Sequence, residues 1–277
     1  MTIWQADFYR RPLQDAAGNA LWELLVCNPT TGFSASALCP QTDANAAWLT
    51  NQLKQLAERA GGTPQRIQVF RPQSVSLLQA ACQPLGIAVE PTRRTPALKQ
   101  LLRQQATQYP PSNPPYDPLQ LDSPPPVPLP ESLWGDQWRF ATIAALDLLP
   151  AIQNRPIPIR ELPEELLPVN LQLPSTISIP GVVIDGGRQA MALARWMQRS
   201  RPVALTYIPG DPDGLILEAG LVERWVLTTF TDPEVINAAR SFRDRQAAAK
   251  GLHFLLIQPD DSGRTYTGFW LLQWERD

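Results

Sequence analysis

The stretch Tyr109–Pro130 constrains this chain more than any other, because ten of its 22 residues are proline, including the run Pro124-Pro125-Pro126. Each proline fixes φ and removes a backbone donor, so neither a helix nor a central strand can pass through it. It is expected to run extended, close to polyproline II. Ordinary helix and strand patterns flank it, which divides the chain into residues 1–108, a connector 109–130 and residues 131–277. Tether-like freedom is expected at most within 110–126, since Leu129-Pro130-Glu131-x-Leu133 reads as docked.

Before the connector, Trp4–Leu13, Leu21–Asn28 and Phe33–Cys39 read as three strands joined by short turns, an antiparallel meander. A helix follows to about Ala60, capped by Asp43 or Asn45, with Trp48, Leu49, Gln52, Leu53 and Leu56 at helical spacing. Ile67–Phe70 reads as a strand, Gln73–Leu85 as a helix ended by Gly86, Ile87–Glu90 as a strand and Pro96–Tyr109 as a helix. The order βββαβαβα is that of a ribonuclease H-like domain. After the connector, Trp138–Leu149 reads as a strand and Pro150–Pro180 as irregular and acidic. The rest reads as αβββαββ, with helices over Arg188–Arg199 and from Asp232 to about Lys250. The whole is an α+β (α/β) protein of two parts.

Composition narrows the function classes. No apolar run reaches the roughly 18–20 residues of a membrane-spanning helix. The first residues carry neither the basic nor the apolar region of a secretory signal, so a cytoplasmic protein is expected, with thylakoid association left open. Cys27, Cys39 and Cys82 form no CxxC pair and His253 is the only histidine, so neither a zinc site nor another cofactor is expected. The net charge of −2 hides an asymmetry: residues 1–108 carry ten Lys/Arg against six Asp/Glu, and residues 109–187 carry three against nine.

An active ribonuclease H-like site needs carboxylates converging on two Mg²⁺ ions. Asp7 is available on the first strand, but Arg71 stands beyond the fourth strand, where a second carboxylate would be wanted. A Mg²⁺-dependent nuclease centred on Asp7 is therefore an alternative, and the leading expectation is a protein without catalytic or metal-binding residues. Asp211, Asp213, Glu218 and Glu223 in the second part lack a following lysine pattern and read as turn acids and strand-edge charges. Gly186-Gly187 precedes a helix and would either hold an anion or cap the helix.

The basic residues form a more informative group. Arg10-Arg11 end the first strand, Arg66 and Arg71 bracket the fourth, and Arg93-Arg94 follow the fifth, with Tyr9, Phe70 and Gln73 beside them. Arginine next to exposed aromatics suits single-stranded RNA, bound through phosphates and stacked bases. The same residues would equally make an ordinary solvated rim.

Six strings then point to a family: Phe70-Arg71-x-Gln73; Pro91-x-Arg93-Arg94; Leu129-Pro130-Glu131-x-Leu133-x-Gly135-x-x-Trp138; Ile179-Pro180-Gly181; Gly251-Leu252-His253-Phe254-Leu255-x-Ile257-Gln258; and Gly268-Phe269-Trp270-Leu271-Leu272. Together, in order and over essentially the whole chain, they resemble the plastid and cyanobacterial "Tab" family of RNA-binding factors for translation of the photosystem I B reaction-centre subunit. The resemblance implies an RNA-binding protein without enzyme activity. It implies a partner in the 5′ untranslated region of a photosystem I messenger, a need for the protein in photosystem assembly, and a cyanobacterial member. Ribosomal or photosystem assembly proteins are further candidate partners, and a protein-binding assembly factor that uses the acidic middle stretch is a second alternative. The Trp270, Leu271 and Leu272 motif, with its neighbours Phe269 and Trp274, reads as a strand buried on both faces, which favours packing over base stacking.

Overall fold

In the computed structural model, which describes residues 2–111 and 115–274, the chain divides into two compact units, Met1–Asp122 and Ser123–Asp277. Alternation along β1 (Ile3–Gln14) sets the layers of the first unit. Side chains on a strand point to opposite faces in turn. Trp4, Ala6 and Phe8 therefore face one way and Gln5 and Asp7 the other, and all five are buried. Such a strand must lie centrally. It pairs antiparallel with β2 (Ala20–Cys27) on one side and parallel with β4 (Arg66–Val69) on the other. With β3 (Ser34–Pro40) and β5 (Ala88–Pro91) the sheet order is β3-β2-β1-β4-β5. This is the ribonuclease H-like order that the element sequence predicts.

Helices α1 (Ala46–Arg59) and α2 (Pro72–Cys82) cover the Trp4 face with Leu49, Leu53, Leu56 and Leu78. Asn45 is the α1 cap, its Oδ1 accepting from the Trp48 amide at 3.0 Å. Helix α3 (Pro96–Ala106) covers the other face with Leu98 and Leu102, packed on Leu25, Cys27, Phe70 and Leu119. Leu119 belongs to the connector, so the expected freedom of residues 110–126 is corrected for part of the stretch: Pro118 and Leu119 are buried on the first unit. Residues 112–114, which that expectation also covered, lie outside the described residues.

The second unit holds two sheets. One has the order β10-β11-β12-β6 and comprises β10 (Pro202–Ile208), β11 (Asp213–Ala219), β12 (Glu223–Phe230) and β6 (Val127–Pro128). The other has the order β7-β9-β13-β14-β8 and comprises β7 (Gln137–Ala144), β9 (Ser178–Asp185), β13 (Leu252–Gln258), β14 (Gly268–Gln273) and β8 (Ile159–Glu161). Helices α5 (Ala190–Ser200) and α6 (Pro233–Ala248) place Leu193, Met197, Ala239 and Phe242 in one core with Leu255, Ile257, Trp270 and Leu272. On the other face, α4 (Ala145–Gln153) packs Leu148 and Ile152 against Phe254, Phe269 and Leu271.

Two expectations change here. The predicted strand Trp138–Leu149 stops at Ala144, and α4 begins at once, because Ala145, Leu148 and Ile152 have helical spacing and are buried as a stripe. The short edge strands β6 and β8 were not foreseen; two and three residues of proline-flanked sequence carry too little alternation to read. The Trp270, Leu271 and Leu272 motif is fully buried, its residues shared between the two faces. Glycines in this string and in Ile179-Pro180-Gly181 answer to aromatic rings. A Cβ on Gly268 would meet the Trp270 ring at 2.5 Å, and one on Gly181 would overlap the Phe254 ring. Among the described residues, no helix is long and apolar enough to cross a membrane.

Candidate nucleic-acid interface

The face of β1 opposite α1 and α2 carries a buried charged cluster. Asp7 is fully buried, and its carboxylate accepts from Arg11 Nη2 at 3.0 Å, Arg71 Nε at 3.0 Å and Ser74 Oγ at 3.5 Å. Arg11 Nε donates to Glu23 at 2.8 Å and its Nη1 to the Tyr116 hydroxyl at 3.2 Å, while Tyr109 Oη donates to Glu23 at 3.1 Å. The two remaining arms of Arg71 donate to the carbonyls of Pro118 at 2.7 Å and Gln120 at 2.9 Å. The Arg71 guanidinium also lies 4.0 Å from the Tyr9 ring centroid. Burial pulls the Arg11 pKa down, but Asp7, Tyr116 and Glu23 more than offset it, so the net shift is upward and the charge is held firmly. The Tyr109 hydroxyl is pushed up by burial and by the neighbouring Glu23, so it remains a proton donor. Two guanidiniums balance two carboxylates, and the rigid fork of Arg71 clasps the connector to the sheet.

Asp7 is where a nuclease of this fold would seat a metal, and both of its oxygens already carry guanidiniums. A cation there would stand against Arg11 and Arg71 at contact distance. Among the described residues, no group of three or more His, Cys, Asp or Glu side chains is arranged to hold a metal ion. In the second unit, Asp213 accepts from Tyr207 Oη at 2.5 Å and the Gly210 amide at 2.7 Å, as a turn acid does. The Gly186 and Gly187 amides donate to the carbonyls of Gln258 and Pro259 at 2.8 and 3.0 Å, so they are engaged within the fold and not open to an anion. His253 is fully buried, its Nε2 accepting from the Leu205 amide at 2.8 Å while Nδ1 faces the Gly251 carbonyl at 2.8 Å. That geometry places the proton of the neutral ring on Nδ1. Burial, partly offset by the Gly251 carbonyl, lowers the His253 pKa from 6.5 to about 4, so the ring is neutral and structural.

The structure sorts the expected RNA contacts into three groups. Arg11, Phe70 and Arg71 leave the rim, with exposures of 1%, 1% and 2%. The reason is Asp7: a buried carboxylate at mid-strand draws in the nearest cations, and Phe70 follows Arg71 into the α3 core. Arg66 is half-buried and pairs with Glu90 at 3.3 Å. It also starts β4 opposite Ile3, whereas Arg10 lies seven residues further along the parallel β1. At ~3.3 Å per residue, roughly 23 Å separates them, so Arg66 and Arg10 do not share a rim. Arg10 and Gln73 are exposed, and Gln73 donates to Asp122 at 3.3 Å. Arg93 and Arg94 follow β5 at the same end of the sheet as Arg71, half-buried and each with partners in the fold. Of the expected contacts, Arg10, Gln73, Arg93 and Arg94 are thus the ones whose side chains stay exposed or half-exposed. Tyr109 and Tyr116, which complete the buried cluster, were missed because a proline-rich stretch gives no periodicity from which to infer burial.

Comparison with known proteins places the chain. Residues 3–105 match the family description "RNA-binding protein Tab2/Atab2 N terminal", and residues 116–273 match "RNA-binding protein Tab2/Atab2, C-terminal domain". A protein of Zea mays, "Protein TAB2 homolog, chloroplastic", is 32% identical over 97% of this chain and 70% of its own length. The protein of the same description from Arabidopsis thaliana is 28% identical over 97% of this chain and 74% of its own. Among solved structures, the HTLV-2 integrase catalytic core domain covers 38% of this chain and 70% of that one at 16% identity. Its TM-score of 0.27 is too low to add to the sheet order already described. Both halves of the chain, in order and almost without a gap, therefore match one family, and the chain belongs to the Tab2/Atab2 family of RNA-binding proteins.

Proposed function

We propose that this chain is a non-catalytic RNA-binding factor that activates translation of a photosystem I reaction-centre messenger by binding its 5′ untranslated region, and so supports photosystem assembly. The observation that carries the reading is the match of both units to one RNA-binding family. The engagement of Asp7 by Arg11 and Arg71 supports the non-catalytic part, since the carboxylate of the scaffold is neutralised from within. Arg10, Arg93 and Arg94, with Gln73, are the contacts proposed on the first unit. They would neutralise phosphates and leave the leader accessible to the ribosome.

The test is a salt-titrated binding assay of the full chain against a photosystem I leader RNA and an unrelated RNA of equal length. Tight binding that prefers the leader is expected. A charge-reversed variant, Arg10→Glu with Arg93→Glu and Arg94→Glu, should weaken it and flatten the dependence on salt. Equal affinity for both RNAs would remove the messenger assignment, and unaltered affinity in a folded variant would remove the residue assignment.

A further inference from the structure

Helix α5, with the turn Gly187–Gln189 that leads into it, presents Arg188, Arg195 and Arg199 to solvent. At 3.6 residues per turn within α5 and three per turn through the 3-10 turn that holds Arg188, the three fall within about 60° of one another and span roughly 17 Å. The buried side of the helix, Ala190, Leu193, Ala194 and Met197, lies opposite, so the arginines point away from the core. No acidic residue occurs from Gly186 to Gly210. Among the described residues, none of the three guanidiniums makes a hydrogen bond or ion pair.

An amphipathic helix needs a polar outer face, but not one of a single sign. Helix α1 mixes Lys54 and Arg59 with Glu58, and α6 mixes Arg240, Arg243 and Arg245 with Glu234 and Asp244. Arg199, in the last turn of α5, has a structural use, since a cation there meets the negative end of the helix dipole. Arg188 precedes the first turn and stands at the positive end, where it opposes the dipole. The arrangement serves an external anion better than it serves the helix. In the first unit, by contrast, Arg11, Arg66 and Arg71 are all matched by carboxylates.

We infer that the outer face of α5, through Arg188, Arg195 and Arg199, is an RNA-backbone contact of the second unit. The inference rests on the RNA-binding reading. It adds that the C-terminal unit touches the strand directly, through phosphates and without base selectivity. Three guanidiniums along one line suit consecutive phosphates of an extended strand, and each phosphate contact on a single strand contributes ~0.7 to the slope of log K against log salt.

The test uses the full chain and a fluorescent, unstructured 20-nucleotide RNA, titrated in salt. Arg→Gln at residues 188, 195 and 199 together should flatten the slope by about 2 and weaken binding by roughly a hundredfold at 0.1 M salt. Arg→Lys at the same three positions should keep most of the slope, which separates loss of charge from loss of fold. Arg160→Gln, an exposed control on β8, should change neither. If the wild type binds and the triple glutamine variant matches it in affinity and slope, the α5 contact is wrong while the RNA-binding reading stands. If the wild type binds no RNA, that reading fails, and this one with it. If the triple variant loses anionic phosphatidylglycerol vesicles but keeps RNA, the face belongs to a lipid surface and the RNA assignment is overturned.

Discussion

Replacing Asp7 with asparagine separates the two readings of the N-terminal scaffold. The substitution keeps the shape of the side chain and removes the charge that lies between Arg11 Nη2 and Arg71 Nε, each 3.0 Å away. Glu23, 2.8 Å from Arg11, is then the only carboxylate left in the cluster for two buried guanidiniums. Removing one partner of a buried ion pair costs ~3–5 kcal/mol, because the other charge stays desolvated. With a urea dependence of ~2 kcal/mol per molar, that is a fall of about 2 M in the unfolding midpoint of the first unit. Arg71 also holds the Pro118 and Gln120 carbonyls, so proteolysis within Tyr109–Asp122 should quicken below the transition. A second change, Arg71→Met in the same chain, should recover part of the loss by removing an unpaired charge. A midpoint within 0.3 M of wild type, about 0.6 kcal/mol on the same scale, would refute the argument. So would RNA cleavage in Mg²⁺ or Mn²⁺ that the asparagine variant abolishes, since Asp7 would then be a metal ligand.

Two further outcomes are expected. His253 has a folded pKa of about 4 against 6.5 when unfolded, so as the pH falls through this window the unfolded chain takes up the proton first and stability is lost. The loss is about 2 kcal/mol between pH 7 and pH 5 and about 3 in full. Because the chain has one histidine, its imidazole signals can be followed directly by NMR. Titration above pH 6, or a proton on Nε2, would contradict the buried geometry. Trp270→Ala should destabilise the second unit by ~3–5 kcal/mol through the cavity it leaves. The RNA affinity of the molecules that remain folded should be unaltered, and a selective loss of affinity at full stability would make the tryptophan a contact.

Much of the first unit is legible from sequence because its signals are local. Short turns force the meander, Gly86 and the Asn45 cap bound the helices, and apolar residues recur at helical spacing. Parallel pairing of β4 with β1 and with β5 then follows from the intervening helices. The rim was less legible. Arg10, Arg11, Arg66 and Arg71 look alike in a string of letters, and burial separates them. That burial turns on Asp7, Glu23, Tyr109 and Tyr116, whose meeting spans 109 residues of chain. The Arg188, Arg195 and Arg199 spacing was visible within a predicted helix, but it carried weight only once the absence of partners among the described residues was known.

The family-like strings make the same division. Gly181, Gly268 and the run Phe269-Trp270-Leu271-Leu272 reflect strand packing, where a ring lies over a glycine and each strand face enters a core. The sequence alone determined the element order of the first unit, the two-part division around the prolines and the family, since these depend on backbone propensity and on motifs read in line. Tertiary structure alone decided which cations are neutralised inside and which face solvent. It also decided that part of the proline-rich connector is clasped to the sheet by Arg71, because desolvation and charge pairing depend on neighbours distant in sequence.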